Sequence, residues 1–365
     1  MKALEIYAGK AARKHLLMHG FNPLDVFAIP GAAGGPKGLI LQGLDQLLFG
    51  EVFQPDALKT RKEPLQLIGA SIGAWRMAAA CAPNPLAALA RLSTLYSEAQ
   101  RYRKGVTSRE ISAICDDMLA GIIGGQSKQI TQPSGKQLMI WVNRGKPPLY
   151  HPVKRKARKR GFAAATLANG LKREKLSGYF ERWVFATGAQ PDWLQTPFDG
   201  MDCRFETLTP DNLQGALLGS ASIPFVLDAV ESIPNSQGQP IEGPFWDGGL
   251  TDYHLALPYS RQNGLVLYPH FGPKVVPGWL DKFLKKRKAN PQWMSNVLLI
   301  CPSAEFIDSL PDRKIPDRSD FKRYGLDHDS RIRNWRAAIA ESERMAEEFG
   351  NWVQKPDLSM IQDLQ

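Results

Sequence analysis

LIGASIGAWRMAAACA, residues 67–82, places a serine between two glycines where an apolar run meets a run of small residues. The apolar run before Ser71 is typical of a buried β-strand, and the small residues after it are typical of a helix packed closely on a sheet. Gly69 and Gly73 stand two positions before and two after the serine, which is the spacing of a nucleophile elbow. Taken alone, the pattern also fits an ordinary strand–helix junction.

The neighbouring sequence shows the same alternation of strand and helix. DVFAIPG (25–31) and LQLIGA (65–70) predict buried strands, while GLILQGLDQLLFG (38–50) and SIGAWRMAAACA (71–82) predict the helices that follow them. Strands that alternate with helices favour a parallel sheet. We therefore expect an α/β fold.

The remainder of the chain adds strands, one loop and a helical end. Further strands are predicted at QLMIWVN (137–143), RWVFATG (182–188), DCRFETLT (202–209), GLVLYPH (264–270) and NVLLICPS (296–303). The prolines of KPPLYHPVKRKARKR (146–160) predict a loop or exposed ribbon. The composition turns charged from position 311, and the periodicity of residues 331–353 predicts a single terminal helix.

Composition limits the class of protein. The chain has 365 residues and a net charge of +10, which favours anionic partners. Its four scattered cysteines form no CxxC pair, so we expect buried free thiols and a reducing compartment. No apolar run approaches ~18 residues and the N-terminal residues contain no uninterrupted apolar segment, so neither a membrane span nor a secretory signal is expected. These features predict a cytoplasmic protein.

A second glycine-rich junction precedes the first helix. In PGAAGGPKGL (30–39), no side chain shields the backbone amides of Gly34 and Gly35, and such amides can stabilise the oxyanion of acyl transfer. The stretch lacks the GxxxxGK[ST] and GxGxxG patterns of phosphate-binding loops. A tight glycine turn without chemistry is the alternative interpretation.

A carboxylate followed by two glycines forms the third motif. In FWDGGL (245–250), Gly248 and Gly249 clear space around Asp247, so its side chain can point into a site. Asp-Gly turns are common in proteins without any catalytic role. The motif gains meaning only in combination with the other two.

In this order the motifs resemble those of the patatin-like phospholipase family. Its GGx[KR]G block is similar to residues 34–38, its GxSxG block to residues 69–73 and its DG[GA] block to residues 247–249. A fourth block, an Ala/Ser-rich helix end before a proline and an aromatic residue, is similar to residues 220–225. The resemblance covers about residues 25–255 and leaves the last part of the chain outside it.

Two departures from the family pattern concern substrate preference more than the nucleophile. Members often carry a longer glycine run where this chain has Ala32 and Ala33. After DGG they commonly carry an Asn-Pro pair, whereas this chain reads Thr-Asp-Tyr-His at 251–254.

The resemblance implies a three-layer α/β/α catalytic domain over residues 1–310, with residues 311–365 as a helical extension packed on it. It implies hydrolysis of lipid carboxyl esters by a dyad in which Ser71 attacks the acyl carbonyl and Asp247 accepts the proton, without cofactor or metal. The implied oxyanion hole is Gly34, Gly35, Lys37 and Gly38, and the glycines of the turns are Gly69, Gly73, Gly248 and Gly249.

Other functions stay open at this point. His254 or His270 would complete a Ser-His-Asp triad of the α/β-hydrolase type. The same dyad would also serve a thioesterase or acyltransferase, and a catalytically silent lipid-binding protein is the alternative outside enzymes. Ser220 and Ser222 are expected to be packing residues and not nucleophiles.

Two basic runs predict a partner. KRKARKR (154–160) and KKRK (285–288) would attract an anionic membrane surface, and a solvated loop is the alternative. No recognition motif for nucleic acid accompanies them, so nucleic acid is not expected as a partner. The sequence makes no prediction of oligomeric state.

Overall fold

The strands form one large, mainly parallel mixed sheet in the computed structural model, which describes residues 2–147, 149 and 155–364. The strands are β1 (Leu4–Ala8), β2 (Val26–Gly31), β3 (Leu65–Ala70), β4 (Lys136–Gly145), β5 (Phe180–Ala186), β6 (Cys203–Thr207), β7 (Val230–Pro234), β8 (Pro240–Asp247), β9 (Leu265–Pro269), β10 (Val297–Pro302) and β11 (Ile361–Asp363). Their order is β11-β1-β10-β9-β2-β3-β4-β5-β6, with β8 paired to β4 and to β7. The expected α/β class is confirmed.

Helices occupy most of the connections between these strands. They are α1 (Lys10–His19), α2 (Gln42–Leu47), α3 (Pro55–Lys59), α4 (Ile72–Ala80), α5 (Pro85–Glu98), α6 (Ser108–Ile123), α7 (Ser127–Ile130), α8 (Arg155–Leu171), α9 (Leu213–Ala221), α10 (Gly249–Asp252), α11 (Ala304–Ser309), α12 (Ser319–Tyr324), α13 (His328–Glu341) and α14 (Glu343–Gln354). Helix α4 packs on β3 and is itself covered by α5, α6 and α9, so every one of its residues is buried. This burial explains the run of small residues in its sequence.

The five central strands, in the order β10-β9-β2-β3-β4, are mutually parallel. All residues of β2, β9 and β10 are buried, as expected for parallel strands covered on both faces. Because the strands are parallel, their carboxyl ends meet at one edge of the sheet. The glycine-rich loop after β2 and Ser71 after β3 therefore emerge side by side.

The prediction of a loop over residues 146–160 is wrong for its second half. Helix α8 begins at Arg155, while residues 148 and 150–154 lie outside the described part of the chain. Past the last proline the sequence contains good helix formers, and the helix buries Phe162 and Ala165 in a small apolar cluster with Trp246.

The single helix predicted over residues 331–353 is two helices, α13 and α14, which meet at Ser342. The Ser342 hydroxyl accepts a hydrogen bond from the Gly43 amide at 2.9 Å. A Cβ on Gly43 would lie 2.4 Å from the Ser342 carbonyl oxygen, so the break lies where α2 approaches most closely. Beyond α14, β11 pairs in parallel with β1 and extends the sheet.

Several elements were not predicted from the sequence, namely β1, the β7–β8 hairpin and β11. The prediction of buried free thiols is confirmed for Cys81, Cys115 and Cys301, whereas Cys203 is free but partly exposed. In the described ranges, no helix combines the length and the apolar composition needed to cross a membrane.

Candidate active site

The register of β4 brings the serine and aspartate motifs together. Strand β3 runs parallel to β4 and ends with Ala70 opposite Trp141. Strand β8 runs antiparallel along the same edge of β4 and ends with Asp247 opposite Val142. The two strands therefore end head to head at neighbouring positions of β4, and Ser71 follows directly after the first.

Ser71 has a backbone conformation that is rare for any residue except glycine, with φ of 55° and ψ of −129°. The glycines on either side allow this turn to pack. A Cβ on Gly69 would lie 2.3 Å from the Ala74 Cα, and one on Gly73 would lie 1.8 Å from the Gly31 carbonyl oxygen. The GxSxG spacing thus reflects close packing of α4 against β2 and β3. Strained residues of this kind cluster at functional sites.

Asp247 is a buried carboxylate, 6% exposed, that interacts with the Ser71 side chain. Its Oδ1 accepts a hydrogen bond of 2.7 Å from the Gly249 amide. Burial raises the pKa of Asp247 above its ordinary value, although Arg318, Ser71 and the Gly249 amide act in the opposite direction. A carboxylate with a raised pKa is a better proton acceptor than an ordinary one.

Ser220 joins three parts of the site. Its hydroxyl accepts a hydrogen bond from the Ser71 amide at 2.9 Å and donates to the Trp141 carbonyl at 2.7 Å. Its own carbonyl accepts from the Gly248 amide at 3.1 Å. The prediction that Ser220 is only a packing residue missed this role. The one signal for it in the sequence was that Ser220 lies in the 220–225 block.

Thr251 and Asp252, in the segment that follows the Asp-Gly-Gly motif, help to hold the turn after Asp247 in place. The Asn143 side-chain amide donates to the carbonyl oxygens of Asp247 and Gly248 at 2.9 and 3.1 Å. The Thr251 hydroxyl lies 2.8 Å from Asn143 Oδ1 and 2.7 Å from Asp252 Oδ2. Asp252 in turn accepts two hydrogen bonds, of 2.7 and 2.9 Å, from a buried arginine, Arg182. Thr251 and Asp252 therefore have a structural role that explains their presence.

The oxyanion candidates after β2 fall into two groups. The Gly34 and Gly35 amides donate to no residue in the described part of the chain, so they are free to bind an oxyanion. Lys37 and Gly38 have packing contacts instead. The Lys37 ammonium lies 5.1 Å from the centre of the Phe271 ring, and a Cβ on Gly38 would lie 3.0 Å from the Ile72 side chain.

The two histidines of the triad alternative contact each other and not the dyad. Their ring centres are 4.4 Å apart, and across residues 2–147, 149 and 155–364 no histidine ring is hydrogen-bonded to Ser71 or Asp247. Burial lowers the pKa of His254 well below its ordinary value and that of His270 to about 4, so both rings are neutral at pH 7. The two rings are therefore engaged with each other and with backbone carbonyls, apart from Ser71 and Asp247.

A cavity of about 240 Å³ lies beside Asp247. Asp247, Gly34 and Gly249 are among its lining residues. Its walls are mainly apolar and come from the α8 helix, the 223–225 turn and the residues after Asp247, with Phe162, Ile223, Leu250 and Leu280 among them. The cavity therefore suits an apolar chain that ends beside Asp247.

The two predicted basic runs differ in the structure. In the first, Lys154 lies outside the described residues, and Lys159 lines the cavity at the α8 helix. In the second, Lys285, Lys286 and Lys288 are exposed. Arg287 turns inward and donates to the Asn169 carbonyl at 2.9 Å, so it belongs to the folded structure and not to a free basic surface.

Comparison with known proteins adds no family to this description. A scan against protein-family models and a search of the curated proteins both found no match. The chemistry of the site is therefore inferred from its geometry.

Proposed function

We propose that this protein is a patatin-like serine acyl hydrolase that cleaves lipid carboxyl esters through a Ser71–Asp247 dyad. One observation carries the proposal: Ser71, held in a strained turn, interacts with Asp247, a buried carboxylate that lines an apolar cavity. Strain at a serine and a raised carboxyl pKa are both features of nucleophilic catalysis. A turn with only a packing role would need neither of them.

The reaction follows from the positions of these groups. The Ser71 hydroxyl attacks the acyl carbonyl while Asp247 takes its proton, and the resulting oxyanion accepts hydrogen bonds from the Gly34 and Gly35 amides. Asp247 then returns the proton to the departing alcohol, which leaves an acyl-serine. A water molecule then attacks this ester while Asp247 takes its proton, and Asp247 passes the proton to the Ser71 oxygen as the acid leaves. Loss of one oxyanion donor typically costs ~10²–10³-fold in rate.

The surface next to the cavity supports a lipid substrate. Trp279 lines the cavity, and Phe283, four residues later, is 81% exposed. Three exposed lysines of the 285–288 run follow directly in the chain. Aromatic side chains beside cations fit the interface of an anionic membrane, where each cation contributes on the order of 1 kcal/mol. Such contact would bring the cavity to its substrate.

Covalent labelling tests the proposed nucleophile. A fluorophosphonate reacts with an activated serine, so we expect one probe per protein, located at Ser71 by peptide mass spectrometry. The S71A variant should not react. The S222A variant is the matched control, because Ser222 is a buried serine beside the site whose hydroxyl donates to the Leu218 carbonyl, and it should label like the wild type. Folded wild-type protein that stays unlabelled, or labels at another serine, would contradict the proposal.

A further inference from the structure

The backbone of Phe225 is strained. Its φ is 69°, in a region that a bulky side chain rarely adopts and that glycine reaches without strain. Hydrogen bonds on both sides hold the turn in this shape. The Asp247 amide donates to the Ser222 carbonyl at 2.9 Å, and the Leu227 amide donates to the Ile223 carbonyl at 2.9 Å. The turn that carries Phe225 is therefore attached to the strand that carries the proposed base.

Phe225 lines the cavity and is exposed to solvent at the same time. It shares the cavity lining with Asp247, yet it is 43% exposed. Trp279 lines the same cavity and is 37% exposed, whereas Phe162 and Leu280 of the cavity walls are buried. A lining residue that is exposed to solvent lies where the cavity meets the surface of the protein. Phe225 and Trp279 therefore flank the mouth of the cavity.

The Phe225 ring reaches across to another wall of the cavity. It meets the Phe162 ring of helix α8 edge to face, with ring centres 5.3 Å apart and an interplanar angle of 71°. Phe162 packs in turn on Trp246, whose ring centre lies 5.7 Å away and which directly precedes Asp247 in the chain. Two walls, the 223–225 turn and α8, thus meet at the pair of phenylalanine rings. The Phe225 ring therefore narrows the mouth.

Packing alone does not account for this arrangement, because a ring that is nearly half exposed gains little from burial while its backbone is strained. We propose that Phe225 is a specificity-determining residue whose ring restricts the mouth of the cavity, so that the protein accepts esters of slender, unbranched aliphatic acids and rejects acyl chains that end in a bulky group. The inference rests on the proposed function, in which the acyl chain occupies this cavity. The distal end of the chain must then pass or occupy the mouth.

Two phenyl esters that differ only at the distal end of the acyl chain test the inference. We would measure kcat/KM for phenyl butyrate and phenyl 4-phenylbutyrate with the full chain. We expect the wild type to prefer the butyrate, and F225A to raise the phenylbutyrate-to-butyrate ratio at least about tenfold, because a mismatch of one methylene group in an apolar pocket already changes kcat/KM by about 10–200-fold. V226A alters the exposed neighbour of Phe225 on the same turn, outside the described lining of the cavity, and should keep the wild-type ratio.

A glycine variant separates the effect of the ring from that of the strain. F225G lacks the ring as F225A does, so it should share the raised ratio. Glycine adopts a φ of 69° without strain, so F225G should unfold at a higher temperature than F225A. F225G also supplies the ratio if alanine at this position unfolds the protein. A lower unfolding temperature for F225G than for F225A would contradict the strain at Phe225.

The outcomes separate the two proposals. If wild type and both Phe225 variants hydrolyse the two esters with the same ratio, Phe225 does not restrict the mouth, and the proposed hydrolase activity stands. If neither ester is hydrolysed and Ser71 is not labelled, the proposed function itself is wrong. Calorimetric titration of S71A and S71A/F225A with 4-phenylbutan-1-ol tests the restricted mouth without catalysis. We expect at least about tenfold tighter binding without the ring, and equal affinities would contradict the inference.

Discussion

Asp247 and Asp252 lie five residues apart in the chain, and their carboxylates differ in the partners that surround them. Both carboxylates are buried. Asp252 is held by two hydrogen bonds from Arg182 and one contact with Thr251. Asp247 has one backbone amide and the Ser71 side chain, and no cation in ion-pair contact among the described residues.

The difference shows how a structural carboxylate can be told from a chemical one. A buried charge is tolerated when its partners satisfy it, as Arg182 satisfies Asp252. Asp247 lacks such a partner, so burial raises its pKa and the folded protein carries a free-energy cost at neutral pH. Proteins keep a destabilising buried carboxylate of this kind at positions where the carboxylate must accept and release a proton. Removal of the Asp252 carboxylate should therefore lower stability, whereas removal of the Asp247 carboxylate should lower activity without lowering stability.

The largest effect on stability is expected from D252N. This variant leaves Arg182 buried and without its counter-charge, which typically costs about 3–5 kcal/mol of unfolding free energy. Urea unfolding at pH 7 would measure it. The matched control is D329N, which removes a carboxylate from an exposed ion pair with Arg101 and should cost less than about 1 kcal/mol. Equal losses in D252N and D329N would contradict the assignment of Asp252 as the counter-charge that stabilises buried Arg182.

A smaller effect is expected at Ser71 itself. Glycine adopts the Ser71 conformation without strain, whereas alanine does not, so S71G should be more stable than S71A by about 1–2 kcal/mol. Both variants lack the hydroxyl, so both should be inactive. Thermal unfolding of the two proteins side by side gives the comparison. If S71G is the less stable of the pair, the turn is not strained and its link with function is weakened.

Local sequence was sufficient for much of the site. The spacing of Gly69, Ser71 and Gly73 follows from a packing constraint within one strand–helix turn, so it can be read from a few residues. The Asp-Gly-Gly turn is equally local. Strands β2 and β3 were predicted within one residue of their observed bounds, because buried parallel strands have continuous apolar runs.

The remaining features depend on contacts between distant parts of the chain. Ser220 reaches the Ser71 amide across 149 positions, and Arg318 approaches Gly35 from the other end of the chain. Neither contact leaves a local pattern. Helix α8 was missed because it is stabilised by burial of Phe162 and Ala165. In the sequence these two residues stand among charged residues, so the apolar face of the helix is hard to recognise. The short strands β1 and β11 have too few residues for a periodic signal.

The kcat/KM of D247N with phenyl butyrate tests the central claim most directly. Asparagine is nearly isosteric with aspartate and cannot accept the Ser71 proton, so we expect a loss of at least ~10²-fold. Because burial raises the pKa of Asp247, this substitution removes an unfavourable charge, and the variant should unfold at the same or a higher temperature than the wild type. An activity loss in such a protein supports Asp247 as the base. A folded D247N protein with wild-type kcat/KM would contradict the dyad.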